Sequence, residues 1–525
     1  MDGAEPIAWV EGRVFTGRRW EEGLLVDDGR VVAVGSSEEI RRSAPTGTTV
    51  RSLSGLTVIP GLVDSHLHIR ASVLHRLGVD LSECRDAEAV VERLRSGAAL
   101  AASGPILAGG WDESRFATPR YLTSADLDRV SLERPVIAYR HCLHVAAVNS
   151  VGLDALGVNS STPDPPGGRV GRSDSGAPDG LLYDRALVRL IPLEVQRLAH
   201  AEAELGSWLG SAAAMGLTSI GAMSADVAEL RLLSDMYRSR PSPVRIRAYV
   251  RAEGIEAIDS AEELRSSEAL RITGVKAFAD GAFGPRTAWL TEPYGDAPDS
   301  RGMAGSDPAE LGALVRWTAD RRLQIAVHAI GDRAIRQTLR VFRSEPAFGV
   351  PRIEHVALTP PEILDELTTV RPALVVQPSF VASDTWLAER LGAERARWTY
   401  AFRSLVSLGL VVAGSSDSPV ETMNPWVGMS QAVAARPAPA AEETLSDQQA
   451  LALYTSQAGA ALGEPEIGSL LPGAFADYVV LEGEDWSKIL ARGVSSVAAT
   501  YRSGRSTFER GREPTLGTPA SAQSL

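Results

Sequence analysis

Two histidines separated by one residue, His66 and His68, are the strongest sign of chemistry in this sequence. They close the stretch Val58-Ile-Pro-Gly-Leu-Val-Asp-Ser-His-Leu-His-Ile69, which begins as an apolar run. Residues two apart on a β strand point to the same face, so both imidazoles can reach one metal ion. Such a pair on its own is more often structural, so the rest of the chain has to supply the other ligands of a metal site.

Four further side chains of ligand type end or follow later apolar runs, namely Lys276, His328, His355 and Asp417. A lysine or aspartate buried in such a run is costly unless it is paired or bound to a metal ion. Taken singly, each has a structural alternative: Lys276 can pair with Asp280, and His355 can be a hydrogen-bonded core histidine. Six such residues at the ends of five runs are hard to explain by packing, and together they predict a metal centre.

These side chains need a scaffold that brings the ends of several strands to one place. The middle of the chain alternates strand-like apolar runs with amphipathic helical stretches, which favours an α/β fold, a (β/α)8 TIM barrel with its active site at the carboxyl ends of the strands. The predicted barrel strands are Thr57–Asp64, Thr218–Ala222, Val244–Val250, Ile272–Ala279, Leu323–Ala329, Arg352–Val356, Ala373–Pro378 and Leu408–Gly414. Helices between them are expected at Pro308–Asp320, Ala334–Phe342 and Pro361–Val370.

Both ends of the chain differ from the middle in their pattern of apolar and polar residues. Short alternating strands with turns fill 1–57, and after a helix similar strands return within 431–510, so we expect one small β-sandwich built from both termini. The predicted barrel covers 58–430. The gap between its first two strands is too long for one helix, and an inserted subdomain is predicted at about 100–190. We expect 511–525 to be a disordered tail.

Composition and charge narrow the possible functions. The 525 residues are 44% hydrophobic and 23% charged, which excludes disorder or a coiled coil for most of the chain. A net charge of −13 leaves no global basic surface for nucleic acid, and no run is apolar enough to span a membrane. Two cysteines and an N-terminus without signal-peptide features predict a cytoplasmic protein, and a small molecule is the expected partner.

Several motifs carry a resemblance to a known family. They run in order along nearly the whole chain: Pro60-Gly-Leu-Val-Asp-Ser-His-Leu-His68, Gly109-Gly-Trp-Asp-Glu113, Val275-Lys-Ala-Phe-Ala-Asp-Gly281, His328-Ala-Ile-Gly-Asp-Arg-Ala334, Arg352-Ile-Glu-His355, Ser416-Asp-Ser-Pro-Val420 and Gly468-Ser-Leu-Leu-Pro-Gly473 with Ala476-Asp477. In this set the sequence resembles the metal-dependent amidohydrolase superfamily, in the branch that includes N-substituted formamide deformylase. The resemblance implies a distorted (β/α)8 barrel beside the two-ended sandwich, and such proteins often form homodimers.

The resemblance also implies how the ligands divide between ions. His66 and His68 would hold one divalent ion, with zinc the expected metal, and His328 and His355 would hold a second. Lys276, carboxylated by carbon dioxide, would bridge the two. A carbamate converts a buried ammonium into an anionic oxygen ligand suited to zinc. Two ions that share a hydroxide would lower its pKa and polarise the scissile carbonyl.

Asp417 is implied to ligate the first ion and to be the catalytic proton carrier, which passes a proton from the metal-bound hydroxide to the leaving nitrogen. The number of ions stays open. Mononuclear members of the superfamily, mainly deaminases, usually carry a glutamate three residues after the fifth-strand histidine, where this chain has Gly331. Lys276 favours a bridged pair, and a single ion with a structural Lys276 is the alternative.

Three residues are candidates for binding the substrate. Trp111 matches a family motif, although it can equally be an anchoring tryptophan in a glycine turn. His144 resembles a family histidine that approaches the metal site from the insertion. Arg286 could bind a substrate carboxylate or carbonyl, or pin the loop after the fourth strand. His75 and His200 have the pattern of ordinary helix-surface residues.

The sequence thus predicts an enzyme, a metal-dependent amidohydrolase that cleaves a non-peptide carbon–nitrogen bond of the amide or N-substituted formamide type. A hydrolase of a lactone, carbamate or cyclic amide is the first alternative, because the same hydroxide could attack each of these. A non-catalytic metal-binding regulatory protein is the second, and the presence of every proposed ligand disfavours it. Ser418 stands where the family usually has a tryptophan, so a relative's substrate does not transfer directly.

Overall fold

A computed structural model describes residues 6–98, 104–198, 201–239, 241–265, 267–436 and 440–511. The predicted disordered tail falls almost wholly outside these ranges, and so does His200. Within them, no helix has the length and apolar character needed to cross a membrane.

The strands follow one another in four groups. The N-terminal strands are β1 (Ile7–Val10), β2 (Arg13–Phe15), β3 (Trp20–Glu21), β4 (Gly23–Asp27), β5 (Arg30–Gly35), β6 (Thr49–Ser52) and β7 (Leu56–Pro60). The first barrel strand, β8 (Leu62–Leu67), precedes the inserted strands β9 (Val79–Asp80), β10 (Ile106–Trp111), β11 (Val136–Arg140), β12 (Val145–Val148), β13 (Gly168–Arg172) and β14 (Pro178–Asp184). The barrel continues with β15 (Leu217–Ala225), β16 (Arg245–Arg251), β17 (Leu270–Phe278), β18 (Gln324–Ala329), β19 (Arg352–His355), β20 (Ala373–Val376) and β21 (Val412–Gly414). The C-terminal strands are β22 (Tyr478–Glu482), β23 (Val497–Arg502) and β24 (Arg505–Glu509).

Helices connect most barrel strands and cover the outside. In chain order they are α1 (Ser37–Ser43), α2 (Ile69–Leu77), α3 (Ala87–Ala98), α4 (Ser124–Asp128), α5 (Ser150–Ala155), α6 (Ile191–Leu198), α7 (Glu202–Ala214), α8 (Val227–Ser239), α9 (Pro308–Asp320), α10 (Asp332–Ser344), α11 (Pro361–Val370), α12 (Phe380–Ser383), α13 (Leu387–Leu391), α14 (Ala393–Ala396), α15 (Phe402–Ser407), α16 (Pro425–Val433), α17 (Asp447–Leu453), α18 (Ser456–Ala461) and α19 (Trp486–Arg492).

The central sheet is a distorted (β/α)8 barrel, which confirms the predicted fold class. Its eight strands pair in parallel in the order β21-β20-β19-β18-β17-β16-β15-β8. The ladder is open between β21 and β8, and bonds from the loop after β21 bridge that gap. There the Asp417 N–H donates to the carbonyl of His66 over 2.8 Å, and the His68 N–H donates to the carbonyl of Ser418 over 2.9 Å. Two site segments are thereby tied together by the backbone.

The first predicted barrel strand, Thr57–Asp64, is in fact two strands in different sheets. Gly61 separates β7, which pairs with terminal strands, from β8, which pairs with β15. The Gly61 N–H donates to the carbonyl of Asp477, and a Cβ on Gly61 would lie only 2.1 Å from Thr218 Oγ1. The chain therefore changes sheets at a residue that has no room for a side chain.

The two termini build a sandwich of two sheets, as predicted. One sheet has the order β5-β4-β1-β6, and the other, β24-β23-β22-β7-β2-β3, interleaves strands from both ends of the chain. Its core includes Trp9, Tyr478 and Tyr501, and the rings of the two tyrosines stack with centroids 4.5 Å apart. The separation of these residues in sequence shows that the ends of the chain fold as one unit.

The insertion between β8 and β15 carries a sheet of its own. Its six strands pair in the order β13-β14-β12-β11-β10-β9. It starts at Val79, earlier than the predicted start near residue 100. A separate apolar core, which includes Trp111, packs beneath this sheet.

Candidate metal centre and active site

The barrel gathers the six predicted metal ligands at the carboxyl ends of its strands. His66 lies near the end of β8, and His68 follows it directly before α2. Lys276, His328 and His355 lie at or near the ends of β17, β18 and β19, and Asp417 is in the loop after β21. All line one cavity, and all except His68 are buried.

The shortest distances between these side chains involve Asp417. Its Oδ1 lies 3.2 Å from His66 Nε2 and 3.0 Å from His68 Nε2. His66, His355 and Asp417 each offer a ligand atom within 4.8 Å of the other two. The ring centroids of His328 and His355 are 4.4 Å apart, which places His328 beside this group.

Outer hydrogen bonds fix which ring nitrogen faces the centre. His66 Nδ1 lies 2.6 Å from a Glu354 carboxylate oxygen, and His68 Nδ1 lies 3.1 Å from the carbonyl oxygen of Met223. Because these oxygens accept, each Nδ1 carries the proton and each Nε2 presents a lone pair inward. His355 follows the same pattern through Gln377 Oε1 at 2.8 Å.

Three imidazole lone pairs and a carboxylate therefore face one another in a buried space. His66 Nε2 and Asp417 Oδ1 have no hydrogen-bond partner among the described residues, in spite of their proximity. Two acceptors this close repel each other unless a cation lies between them. Burial also lowers the pKa of His68, His328 and His355, so each is a neutral donor. This donor set fits a divalent metal ion.

Glu354 is the buried carboxylate that orients His66. Arg352 donates to it over 2.8 Å and, although burial works in the other direction, holds the pKa of Glu354 well below its usual range. Outer partners of this kind set the ring orientation and the basicity of a metal ligand. Asp332, the acidic residue that follows His328 by four positions, accepts from the N–H of Thr291.

Lys276 is fully buried, and its amine has no hydrogen-bond partner in the described part of the chain. The structural alternative of a Lys276–Asp280 pair is wrong, because Asp280 accepts from the backbone N–H groups of Trp289, Ile330 and Gly331. Burial lowers the pKa of Lys276 to about 8, which gives it a larger neutral fraction than an exposed lysine has. Lys276 is thus an unpaired buried amine on the cavity wall.

Two of the predicted ligands have a left-handed backbone conformation. Asp417 has φ of 58° and His355 has φ of 73°, a region that non-glycine residues seldom occupy. Such strain persists only where the surroundings fix the backbone, and it gathers at functional sites. For Asp417 the bond from its N–H to His66 supplies that constraint.

Comparison with known proteins identifies the family of this chain. Residues 49–508 match the profile of the amidohydrolase family. The chain belongs to the amidohydrolase family. A short second match, residues 23–46 in the sandwich, is to an imidazolonepropionase-like composite domain of bacteria.

Its relatives agree with this assignment. The protein named "Putative amidohydrolase YtcJ" of Bacillus subtilis is 33% identical over 91% of this chain and 94% of its own length. N-substituted formamide deformylase of Arthrobacter pascens is 24% identical over 88% and 90%. The crystal structure of an uncharacterised metal-dependent hydrolase of Pyrococcus horikoshii superposes with a TM-score of 0.77 at 28% identity, over 94% of this chain and all of that one. As a family member, the chain is a metal-dependent hydrolase of carbon–nitrogen bonds other than peptide bonds.

The active-site cavity of this amidohydrolase encloses about 1310 Å³, including its open mouth. His144, from the insertion, lines it with its ring centroid 5.2 Å from that of His328. His144 Nδ1 lies 2.7 Å from Asp184 Oδ1, so a carboxylate orients this imidazole too. Of the three predicted substrate-binding residues, His144 is the one that the structure brings to the cavity.

Trp111 and Arg286 are not among the residues that line this cavity, so the structure does not bring these two predicted substrate-binding residues to it. Trp111 is completely buried in the core of the insertion, where its indole N–H donates to the carbonyl of Ala138 over 2.9 Å. It is the anchoring tryptophan of the structural alternative. Arg286 pairs with Asp296 over 2.7 Å, which fits the other reading, in which it pins the loop after β17.

Several other residues line the cavity that the sequence did not indicate. His75 lines the cavity instead of lying on a helix surface, and Arg70, Glu194 and Arg251 form part of the same wall. Arg70 could have been found from the sequence, since it follows His68 by two residues. Glu194 comes from α6 and Arg251 from β16, so no local spacing connects these two to the histidines.

Proposed function

We propose that this amidohydrolase cleaves an amide or N-substituted formamide with the help of one or two divalent ions. His66, His68 and Asp417 would hold one ion, and His328 and His355 would hold a second, with Lys276 shared by both positions. The observation that carries the proposal is that two buried, inward-facing acceptors, His66 Nε2 and Asp417 Oδ1, lack any hydrogen-bond partner within the described residues. Bound zinc or a similar ion would supply Lewis acidity, polarising a carbonyl and making water more acidic.

Lys276 fits this shared position best as a carbamate. Its amine is buried and unpaired, 5.1 Å from the Phe278 ring centroid, so an ammonium there is poorly compensated. Addition of carbon dioxide to the neutral amine would replace that cation with an anionic oxygen ligand. A structural lysine beside a single ion is the competing arrangement.

Asp417 is the proton carrier in this proposal. Its carboxylate touches the site directly, and the loop after β21 is tied to β8 through the carbonyl of His66. A carboxylate held in this way can accept a proton from water and release it to the leaving nitrogen. His144, whose Nδ1 bonds to Asp184, would accept a hydrogen bond from the substrate at its Nε2 on the insertion side.

Metal analysis together with a hydrolase panel tests the proposal. Purified protein would be assayed for zinc, manganese and iron by mass spectrometry. In parallel it would be screened against N-formyl, N-acyl and cyclic amides, with lactones and carbamates in the same panel. We expect at least one bound ion per chain and turnover of acyclic amides. Full activity in metal-free protein would refute the metal role, and turnover confined to lactones or carbamates would refute the bond type.

A further inference from the structure

A second feature of the cavity wall is an arginine without a partner. Arg251 is the last residue of β16, and it lies beside Lys276 in the register of β16 with β17. Both side chains line the active-site cavity. The buried Nε of Arg251 has no hydrogen-bond partner in the ranges that the structure describes, and no carboxylate there lies within ion-pair distance of its guanidinium.

The other arginines of this wall are paired. Arg70 donates to Glu194 over 2.8 Å and to Glu229 over 3.1 Å. Glu194 also accepts from the Tyr139 hydroxyl. Arg185 pairs with Glu253 over 2.8 Å. The nearby carboxylates are therefore already engaged, and Arg251 is the cation left over.

The Arg251 guanidinium lies over an aromatic ring that is also close to the proposed metal ligands. Its central carbon lies 5.0 Å from the centroid of Phe278, and the same ring also lies near His328, at 5.2 Å between centroids, and near the Lys276 amine, at 5.1 Å. A cation–π contact offsets part of the cost of burying a charge but satisfies none of its donors. The free donors thus lie in the cavity about one aromatic ring from the proposed ligands.

We propose that Arg251 binds a carboxylate of the substrate, held about one aromatic ring away from the scissile amide. The guanidinium fork matches a carboxylate in a two-point contact, and a ligand anion would pair with the arginine that has no carboxylate partner among the described residues of this wall. The inference rests on the proposed function and adds a substrate class, amides whose amine or acyl part bears a carboxylate. Arg251 is then a specificity-determining residue and not part of the bond-breaking machinery.

Two matched anilides test this proposal. 4-Formamidobenzoate and 4-formamidobenzamide differ in one charge and place one ring between the amide and the anion, and the acetyl analogues extend the pair. The measured quantity is the ratio of kcat/KM for the carboxylate to that for the carboxamide. We expect the wild type to prefer the carboxylate, and Arg251→Gln to lower the ratio by about 10- to 100-fold. Arg251→Lys, which keeps the charge without the fork, should give an intermediate ratio.

Arg231→Gln is the matched control, because Arg231 on α8 is half-exposed and bonds to the carbonyl of Ser260. It should leave the ratio unchanged. If Arg251 merely balanced the charges of Glu194 and Glu229, its replacement would lower kcat/KM for both anilides alike. An unchanged ratio in Arg251→Gln would overturn the proposal.

Calorimetric binding of the products separates this proposal from the proposed function. Metal-loaded wild-type protein and the Arg251→Gln variant would be titrated with 4-aminobenzoate and with 4-aminobenzamide. Stronger wild-type binding of the carboxylate, lost in the variant, supports the anion site even if neither anilide is hydrolysed. Equal binding of 4-aminobenzoate to both proteins, or none to either, refutes the anion site even if hydrolysis is observed.

Discussion

Asp417 is the residue on which the proposed chemistry depends most directly. We expect Asp417→Asn to lower kcat by about 10²- to 10⁴-fold, because an amide cannot carry the proton. Asparagine tolerates the left-handed φ of 58° at this position, so the fold should be kept. Turnover, circular dichroism and metal content would be measured on the same preparation. An unchanged kcat would eliminate Asp417 as the proton carrier.

Lys276 makes a separate prediction, about metal content. Lys276→Ala removes the proposed carbamate ligand, so at least one ion should be lost together with most of the activity. Short carboxylic acids such as acetate can occupy the vacated space and supply an oxygen ligand, and partial rescue by them is expected. The control is Lys488→Ala, since that lysine side chain is 81% exposed. Full metal content in Lys276→Ala would favour a structural lysine.

The sequence predicted these residues better than it predicted their partners. His66, His68, His328 and His355 end strand-like runs, and parallel strands of a barrel bring such ends together. Two of the groups that orient them cannot be found in this way. Met223 acts through its backbone carbonyl, which carries no residue signature, and Gln377 directly follows β20, a different strand from that of His355. Outer contacts depend on three-dimensional register, which a single sequence does not specify.

At the scale of elements, β18 and the turn after it show how tightly the loops are fitted. Gly331 has an ordinary φ of −75°, but a Cβ there would lie 2.1 Å from the carbonyl oxygen of Trp289. The glutamate of the mononuclear relatives therefore has no room in this loop arrangement. The glycine that replaces this glutamate in the sequence is thus the residue that the close packing of the loop after β17 requires.

Gly331→Ala should consequently push the Trp289 backbone away and strain the turn. We expect a loss of stability of about 1–3 kcal/mol and a lower kcat, because the turn adjoins His328. Thermal unfolding and steady-state kinetics would be compared with Gly206→Ala. Gly206 lies in α7 with open space around its Cβ position, so that change should be neutral or slightly stabilising. Equal unfolding midpoints for the two variants would show that the turn adapts freely.

Element boundaries were predictable where periodicity was local. The expected helices Pro308–Asp320 and Pro361–Val370 match α9 and α11, whose first residues are prolines suited to a helix start. The prediction was wrong at Thr57–Asp64, because the apolar pattern runs unbroken through Gly61 while the chain changes sheets. Pattern alone does not tell which of two adjoining sheets a buried strand joins.

At the scale of the whole molecule, the sandwich and the barrel meet through a buried charged group. Arg245 begins β16, at the amino end of the barrel and opposite the active site, and is completely buried. It donates to Asp477, just before β22, and to Glu268 over 2.8 Å. Asp477 also accepts from the N–H of Ser503 over 2.8 Å. This one carboxylate therefore connects the C-terminal strands of the sandwich to the amino end of the barrel.

Asp477→Asn tests whether this junction serves stability alone. The substitution keeps the shape but leaves Arg245 short of a compensating charge, which for buried pairs costs about 3–5 kcal/mol. Glu268 remains, so we expect the lower end of that range and a clearly reduced unfolding midpoint. The kcat of the folded protein should not change, because residues at the amino end of a barrel support the fold and the chemistry takes place at the carboxyl end.

Glu38→Gln provides the control, since its pair with Arg42 is exposed on both sides and should contribute less than about 1 kcal/mol. Two outcomes would contradict the assignment. An unfolding midpoint equal to that of Glu38→Gln would mean that the Arg245–Asp477 contact does not couple the sandwich to the barrel. A reduced kcat with normal stability would mean that the sandwich communicates with the metal centre across the length of the barrel, and the division into a supporting floor and a reactive mouth would then have to be abandoned.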